Sequence, residues 1–409
     1  MTHLWDETCK PKTMRILISG AGIAGPTLAY WLAHYGFEVT LVERAPRLRT
    51  GGYIIDFWGA GFEIADRMGL LPELQRQGYA VQEVRVVNRE GKRVAGFPVS
   101  AFVRIAKGRY MSLPRGELAA SIFRRTEGAA ETIFGDSVAG IEQTEGAVQV
   151  VFESGAKREF DLVVGADGLH SRVRELMFGP ESRFEKYLGY QVAAFAAEGY
   201  RPWDELVYVM YTQVGQQVAR FAMRGDRTMF LFSFADDRPD AAAAGDVRAQ
   251  KALLRKRFSQ SGWECPRILD ALDTAGDLYF DRVSQIQMGS EAELWTRGRV
   301  VLVGDAAFCV SLLAGQGSAL AMAAAYILAG ELYRAGGDWR KGLARYQELV
   351  APFVEEKQKA ALRFAGLIAP KTKVALFLRN QVMNLLRIPW VADRSFASDF
   401  TDRLALPDY

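Results

Sequence analysis

The stretch Gly20-Ala21-Gly22-Ile23-Ala24-Gly25 follows a strand-like run over residues 15–19, apolar at residues 16–18, and precedes a helical pattern over residues 26–35. A second apolar run over residues 39–42 ends at Glu43. Strand, glycine loop, helix and strand in this order predict a βαβ unit, which indicates an α/β fold with a parallel sheet. The spacing GxGxxG in this setting, with an acidic residue closing the second strand, is typical of dinucleotide-binding sites.

Each glycine of the loop has its own predicted role. Gly20 allows a tight turn, Gly22 allows the backbone to approach a pyrophosphate, and Gly25 allows the helix to pack against the strand. The amino terminus of the helix attracts the phosphates, and Glu43 accepts a hydrogen bond from a ribose hydroxyl. The alternative is a glycine turn without a ligand. The loop alone does not distinguish NAD from FAD.

Length and composition narrow the function classes. The chain has 409 residues, of which 49% are hydrophobic and 24% charged, as expected for a folded protein of two cooperating domains. Its formal net charge of +3 is too small for the basic surface that binds a nucleic-acid phosphate backbone, so we expect no nucleic-acid partner. Residues 306–330 carry no charge, but the Gly-Gln-Gly-Ser segment at 315–318 favours a buried loop and helix, so no stable membrane insertion is expected.

Cysteine and histidine are scarce. The three cysteines, Cys9, Cys265 and Cys309, form no CxxC pair, so neither a disulfide framework nor a thiolate metal site is indicated, and the chain is expected to be cytoplasmic. The three histidines share no ligand spacing, which leaves little material for a metal site or a catalytic triad. We therefore expect no metal, no catalytic side chain, and chemistry that a cofactor supplies.

Two later strands end in glycine and aspartate. Residues 161–168, Asp-Leu-Val-Val-Gly-Ala-Asp-Gly, are followed by Ser171 and Arg174, and residues 298–307 contain Gly304-Asp305. Together with the glycine loop, these segments resemble the DG and GD motifs of the class A FAD-dependent aromatic monooxygenases, the family of para-hydroxybenzoate hydroxylase and the tetracycline-inactivating monooxygenases. The resemblance covers nearly the whole chain from Met14 and follows the family's order of motifs.

The resemblance implies that the loop and the strand after it hold the ADP half of FAD. The residues with this implied role are Gly20, Gly22 and Gly25 at the pyrophosphate, Glu43 at the adenosine ribose and Arg44 on the adenosine side. NADPH or NADH is implied as a co-substrate that binds transiently, without a nucleotide-binding domain of its own.

The resemblance also implies residues around the flavin half. Arg115 matches the arginine of the family's RxxL helix start, which reaches the flavin; the alternative is a surface arginine on a helix. Asp305 matches the aspartate that binds the ribityl chain. Asp167 matches an aspartate associated with both FAD and NADPH, and a cap on the next turn is an equal alternative. Gly315 and Gly317 open a helix whose N-terminal amides and dipole would stabilise reduced flavin.

Three positions depart from the family pattern. Ser311 and Leu312 stand where the family often has proline before the loop, and Ala324 stands where the following helix often has an acidic residue. FAD binding is still expected, while the detailed surroundings of the flavin ring stay open.

Alternating segments beyond residue 180 predict an antiparallel sheet. The predicted domains are an FAD-binding domain over residues 14–80, 106–179 and 276–340, a substrate-binding sheet domain over residues 81–105 and 180–275, and a C-terminal helical segment over residues 341–409. The predicted fold class is therefore α/β: a Rossmann-like FAD-binding domain with a parallel sheet, an inserted antiparallel-sheet substrate domain, and long C-terminal helices.

Candidate substrate residues lie on this antiparallel sheet, because aromatic walls with a few polar groups suit a small aromatic molecule. Strand alternation puts Arg220 and Phe221 on opposite faces, so both cannot look toward the flavin, whereas Phe230, Phe232 and Phe234 share one face. Arg220 and Phe232 are the residues that we predict to contact the substrate.

The resemblance implies an NAD(P)H-dependent flavoprotein monooxygenase. In that reaction NADPH or NADH reduces FAD, O2 adds to give a flavin hydroperoxide, and one oxygen atom passes to an aromatic or polyketide-like small molecule. Two alternatives stay open: a flavin reductase or redox-neutral flavoenzyme of the same fold, and a non-catalytic nucleotide-binding sensor.

Overall fold

A computed structural model describes residues 13–49, 51–202, 204–237, 245–289, 294–312, 315–396 and 404–409. The strands are β1 (Arg15–Ser19), β2 (Glu38–Glu43), β3 (Ile54–Trp58), β4 (Glu83–Val87), β5 (Arg93–Pro98), β6 (Tyr110–Pro114), β7 (Glu131–Phe134), β8 (Val138–Gln143), β9 (Val148–Phe152), β10 (Lys157–Phe160), β11 (Leu162–Gly165), β12 (Glu185–Glu198), β13 (Val207–Gln213), β14 (Gln216–Met223), β15 (Arg227–Ala235), β16 (Tyr279–Ile286), β17 (Thr296–Arg297) and β18 (Val300–Leu302). The helices are α1 (Ala24–His34), α2 (Ala60–Arg67), α3 (Leu71–Gln77), α4 (Ser100–Ile105), α5 (Arg115–Arg124), α6 (Arg172–Phe178), α7 (Val247–Phe258), α8 (Cys265–Thr274), α9 (Asp305–Phe308), α10 (Gly317–Arg334), α11 (Trp339–Ile368), α12 (Lys373–Leu385) and α13 (Pro389–Phe396), with a short 3-10 turn at Glu181–Arg183.

The central sheet has six strands in the order β17-β18-β11-β1-β2-β7. Strand β1 pairs in parallel with β2 and β11, which pair in parallel with β7 and β18, while the edge strand β17 runs antiparallel. Ile16, Leu17 and Ile18 of β1 are fully buried, as in a parallel sheet covered on both faces. Because β1, β11 and β18 are parallel neighbours, their carboxyl ends bring the glycine loop, the DG segment and the GD segment to one edge.

A second sheet has seven strands in the order β16-β12-β15-β14-β13-β4-β5. Its neighbouring strands are antiparallel except for the parallel pair β4 and β13. The α/β fold class predicted from the sequence is confirmed. Strand β16 belongs to the predicted FAD-binding segment 276–340 and pairs with β12 as an edge strand of this sheet. The domain boundaries given above stay a prediction.

The two faces of the seven-stranded sheet have different neighbours. One face packs against α7 and α8 through Phe230, Phe232 and Phe258. The opposite face carries Phe221, which packs in one apolar cluster with Ile54 of β3. We call this second side of the sheet, together with the residues that pack against it, the inner face. Its members are Tyr53, Ile54, Tyr79, Ala194, Ala196, Tyr208, Phe221, Met223, Met229, Leu231 and Tyr279.

Helix α10 packs against α1, α2 and α11, and most of its side chains are buried in the main core. Helix α12 packs against β5, and α13 packs against α4. Among the described residues, we find no helix with the length and apolar character needed to cross a membrane.

Candidate functional site

The three glycines of the loop between β1 and α1 differ in their surroundings: two are closely packed, and the third borders open space. Gly20 has a φ of +107°, and a Cβ there would lie 2.6 Å from the Ala166 carbonyl oxygen. A Cβ on Gly25 would lie 1.9 Å from the Gly20 carbonyl oxygen. A Cβ on Gly22, in contrast, meets among the described residues one neighbour within 4 Å, the Arg115 Nη2 atom at 3.9 Å. The fold thus requires the outer two glycines, whereas Gly22 leaves open space at the amino terminus of α1, where a pyrophosphate fits.

Glu43 at the end of β2 braces this loop. Its Oε2 accepts a hydrogen bond from the Ala21 amide at 2.9 Å, and its Oε1 accepts one from the Ala45 amide at 2.9 Å. A carboxylate has about four lone-pair sites, so each oxygen retains capacity for a ribose hydroxyl. Arg44 follows on the exposed side of the chain. The predicted positions of both residues beside the loop agree with this geometry, and their contacts with FAD stay predictions.

Arg115 opens α5 directly opposite the loop. Its backbone amide donates to the Tyr53 carbonyl at 3.0 Å, which fixes the start of the helix beside β3. The Nη2 atom of Arg115 faces Gly22. The Cβ atom of Arg115 lies 3.6 Å from the position that a Cβ on Gly52 would take. The guanidinium therefore lies over the open part of the glycine loop. This position favours a role for Arg115 in the candidate cofactor site over that of a surface arginine.

Asp305 stands where β18 ends and α9 begins. Gly304 precedes it with a φ of +66°, and Asp305 Oδ1 lies 3.8 Å from the position that a Cβ on Gly317 would take. Burial raises the pKa of the Asp305 carboxyl, and the Arg115 guanidinium opposes part of that rise. The carboxyl and the start of α10 therefore border the same space as Arg115. Gly315 enters α10 with a φ of +64°, a conformation that glycine adopts without strain.

Two tyrosines and a cysteine complete this space, and sequence reasoning did not select them for the site. The rings of Tyr53 and Tyr279 lie 5.5 Å apart, centroid to centroid. Burial raises the pKa of both phenols, so both are neutral at neutral pH. Burial likewise raises the pKa of the Cys309 thiol well above its usual range, which makes it inert as a nucleophile. Tyr53 follows a glycine pair and Tyr279 opens β16, so no local pattern links them.

Asp167 caps a helix. Its Oδ1 accepts a hydrogen bond from the Ser171 hydroxyl, and its Oδ2 accepts from the Arg172 amide at 2.9 Å and the Val173 amide at 3.1 Å. These contacts are the helix-capping alternative that the sequence left open. Contact of Asp167 with FAD or NADPH stays a prediction.

Arg174 ties the DG segment to the GD segment. This fully buried side chain donates from Nη1 to the Ala306 carbonyl at 3.0 Å and from Nη2 to Glu181 Oε2 at 2.7 Å. Glu181 also meets His170 Nδ1 at 3.0 Å, and His170 Nε2 lies 3.3 Å from Asp281 Oδ1. The Asp281 and Glu181 carboxylates accept hydrogen bonds from the His170 ring and raise the pKa of His170 to about 10. A line of alternating charges thus holds β16 against the two motifs.

Arg220 and Phe232 lie on the face of the sheet that packs against α7 and α8. Arg220 donates to Asp204 Oδ2 and Glu264 Oε1, each at 3.0 Å. Phe232 is fully buried, with its ring 4.8 Å from that of Phe258. This face is opposite to the one near Tyr53 and Tyr279, and contact of Arg220 and Phe232 with the substrate stays a prediction. The period-two alternation separates the two faces correctly but does not reveal which one looks toward the cofactor.

Arg379 on α12 is a buried cation that the sequence analysis did not select. It is 6% exposed, and its Nη1 lies 3.4 Å from the Met383 sulfur. Its Nε and Nη2 atoms have no hydrogen-bond partner among the described residues. Burial lowers the pKa of the guanidinium to about 10. A signal existed in the sequence, since Arg379 interrupts the apolar row of Leu376, Met383 and Leu386 at helical spacing.

Arg379 lies beside the inner face of the sheet. Met383 belongs to a cluster with Val86 of β4 and Phe97 of β5, and Phe102 and Val84 join this cluster to the one that contains Phe221. A buried ion without a partner is costly. An anionic group on a small molecule would supply the missing partner.

Comparison with known proteins agrees with this geometry. Residues 13–360 match the family model described as FAD binding domain. The chain is 39% identical over 354 residues to an uncharacterised protein of Mycobacterium tuberculosis, covering 84% of this chain and 91% of that protein. It is 32% identical over 386 residues to a flavin-dependent monooxygenase of Legionella longbeachae, covering 91% of this chain and 94% of that protein.

Solved structures show the same fold. The crystal structure of tetracycline destructase Tet(51) has a TM-score of 0.81 at 32% identity, covering 97% of this chain and 100% of that chain. Klebsiella pneumoniae HpxO, complexed with FAD and uric acid, has a TM-score of 0.76 at 21% identity, covering 94% of this chain and 97% of that chain; at that identity the likeness shows the fold alone. The chain therefore belongs to the FAD binding domain family of flavin-dependent monooxygenases and is an oxidoreductase.

Proposed function

We propose that this flavoprotein uses NADPH or NADH and O2 to hydroxylate an aromatic or polyketide-like small molecule that carries an anionic group. The observation that carries the proposal is that Tyr53, whose carbonyl accepts from the Arg115 amide beside the open Gly22 loop, packs in the same apolar cluster as the aromatic inner face. Arg379, whose Nε and Nη2 atoms have no hydrogen-bond partner among the described residues, adds a buried cation. Reduction by NAD(P)H, the flavin hydroperoxide and the cytoplasmic location are parts of this proposal that the family membership leaves open.

The residues present fit FAD. Gly22 and the start of α1 would receive the pyrophosphate, Glu43 the adenosine ribose and Asp305 the ribityl chain, while the start of α10 would face the flavin ring. When bound, FAD would supply the redox chemistry, accepting a hydride from NAD(P)H and activating dioxygen as the hydroperoxide. The Arg115 guanidinium would hold the cofactor from the opposite side by charge-assisted contact.

The inner face would hold the substrate and keep water out. Tyr208 and Phe221 stack there with ring centroids 5.2 Å apart, and Tyr79 meets Phe221 edge to face at 5.2 Å. Phe221 is fully buried, so the partly exposed rings of Tyr53, Tyr208 and Tyr279 would present the surface that suits a flat, aromatic molecule and excludes the water that would divert activated oxygen. Arg379 would orient the molecule by binding a carboxylate or an enolate.

Labelled dioxygen tests the proposed function. Tetracycline is the first probe, because a solved relative at 32% identity is named a tetracycline destructase, and a panel of aromatic carboxylates and polyphenols follows. A true substrate is expected to accelerate NADPH oxidation, since substrate binding prepares the site for reduction. Mass spectrometry should then show one labelled oxygen atom in the product.

The opposite results identify the rival functions. A product formed only with FAD but without label would indicate a reductase or a redox-neutral enzyme of the same fold. Tight nucleotide binding with no stimulated NADPH oxidation across the panel would indicate a sensor.

Arg115→Ala is expected to weaken FAD binding about tenfold, the loss of one charge-assisted contact, and to raise the hydrogen peroxide formed per NADPH. The substitution also leaves the Asp305 carboxyl without the cation that lowers its pKa. Flavin fluorescence titration and a peroxide assay measure the two effects. Arg125→Ala is the matched control, because Arg125 follows α5 and its exposed side chain donates to the Gly69 carbonyl at 3.0 Å. Equal behaviour of the two variants would remove Arg115 from the site.

A further inference from the structure

Helix α12 and the start of α13 carry a row of apolar side chains on the outside of the protein. Val374 is 69% exposed, Phe377 61% and Trp390 69%. The complete row is Val374, Phe377, Leu378, Val382, Leu385, Ile388 and Trp390. Val374, Leu378, Val382 and Leu385 follow one another at steps of three or four residues, which places them along one side of α12, and Phe377 flanks this line. Single exposed apolar residues are ordinary, but a contiguous row marks an interaction surface.

The surroundings of this row are basic. Residues 371–396 contain five basic residues and one acidic residue, Asp393. Of the basic residues, Arg379 is buried and Lys371 pairs with Asp237 at 2.6 Å. The acid is engaged, since Asp393 Oδ1 accepts from Arg104 at 2.8 Å. Lys373, Arg387 and Arg394 are exposed along the same segment. An apolar row bordered by cations is the pattern of a helix that lies in the plane of an anionic lipid surface.

We propose that this row, the outer face of α12 with Ile388 and Trp390, docks the protein peripherally on a membrane that contains anionic lipid. The helix would lie in the headgroup region without crossing the bilayer, in agreement with the absence of a spanning helix among the described residues. Phe377 and Trp390 would enter the boundary between headgroups and acyl chains. Lys373 and Arg387 would attract the lipid phosphates.

Charge favours a lipid surface over a second copy of this chain. A two-fold contact through this row would bring the same basic residues of both copies together, and like charges across an interface repel. The row also stands on a convex helix face rather than in a groove. An anionic lipid surface complements both features. Its negative charge attracts the basic residues, and its headgroup region can accommodate an inserted helix face.

Vesicle sedimentation of the FAD-loaded protein tests the proposal. We expect binding to vesicles of equal parts phosphatidylglycerol and phosphatidylcholine, weakening as salt is raised because the attraction is partly electrostatic. Binding to pure phosphatidylcholine should be at least tenfold weaker. The double variant Phe377→Asp with Leu378→Asp should bind the mixed vesicles at least tenfold more weakly than the natural protein and keep its flavin content.

Val247→Asp is the matched control, since Val247 on α7 is 47% exposed and lies outside the row. It should bind vesicles as the natural protein does. Equal loss in the control, or no vesicle binding by the natural protein, would overturn the proposal. Light scattering tests the alternative partner. If the natural protein is a dimer, the double variant is a monomer and neither binds vesicles, the row contacts a second copy of the chain and the proposal is overturned. Vesicle binding, flavin content and light scattering do not require turnover. Their outcome is therefore independent of whether the proposed hydroxylation is correct.

Discussion

Gly22→Val should abolish FAD binding and leave the fold intact. Within the part of the chain that the structure describes, a Cβ at this position meets one atom within 4 Å, the tip of the flexible Arg115 side chain, so the folded protein tolerates the added methyl groups. The same methyl groups occupy the space in which the pyrophosphate must approach the backbone amides. We expect the affinity for FAD to fall at least ~100-fold, about 2.7 kcal/mol. Flavin absorbance after reconstitution and a titration of the apoprotein measure this loss.

Two other glycines make this result interpretable. Gly146 has open space around its Cβ position and no left-handed φ, so Gly146→Val should keep both fold and FAD. Gly25→Ala should instead damage the fold, because its Cβ would lie 1.9 Å from a backbone oxygen. Loss of thermal stability in Gly22→Val to the level of Gly25→Ala would mean that the position is structural. Full FAD affinity in a folded Gly22→Val would show that the motif is only a turn.

The cofactor side of the candidate site could be proposed from the sequence because its residues follow strand ends. The glycine loop, Asp167 and Asp305 each come directly after a strand of the parallel sheet, and parallel neighbours end at one edge. Arg115 entered through its motif, and the structure places it opposite Gly22. In all these positions the chemistry is encoded within a few residues of a recognisable element.

The substrate side is harder to propose from the sequence, because the inner face is built from distant segments. The structure shows Arg220 and Phe232 on the strand face that α7 and α8 cover, and alternation alone does not say which face looks toward the cofactor. Tyr53 and Tyr279 come from separate parts of the chain and meet only in the folded protein. Arg379 is visible in the sequence as a charge on an apolar helical row, but the sequence does not show that its Nε and Nη2 atoms lack a partner among the residues that the structure describes.

Arg379→Met is expected to make the protein more stable and less active. The guanidinium is almost completely buried, with Nε and Nη2 unpartnered among the described residues. Methionine has similar length and suits the apolar neighbours Met383 and Phe97, so the free energy of unfolding of the FAD-loaded protein should rise by about 1–3 kcal/mol. At the same time, kcat/KM for an anionic substrate should fall about 10-fold to 100-fold, the loss of one charged hydrogen bond. Thermal unfolding and stimulated NADPH oxidation measure the two changes.

Arg387→Met is the control on the same segment, because Arg387 is exposed and its charge is already solvated. It should change neither quantity. Lower stability in Arg379→Met would mean that the guanidinium supports the fold, and unchanged activity would mean that it does not meet the substrate. An anionic substrate should also raise the melting temperature of the natural protein more than that of Arg379→Met, since a ligand stabilises the state that it binds. A higher free energy of unfolding together with a lower kcat/KM in Arg379→Met is the result expected if the buried guanidinium destabilises the free protein and binds an anionic group of the substrate.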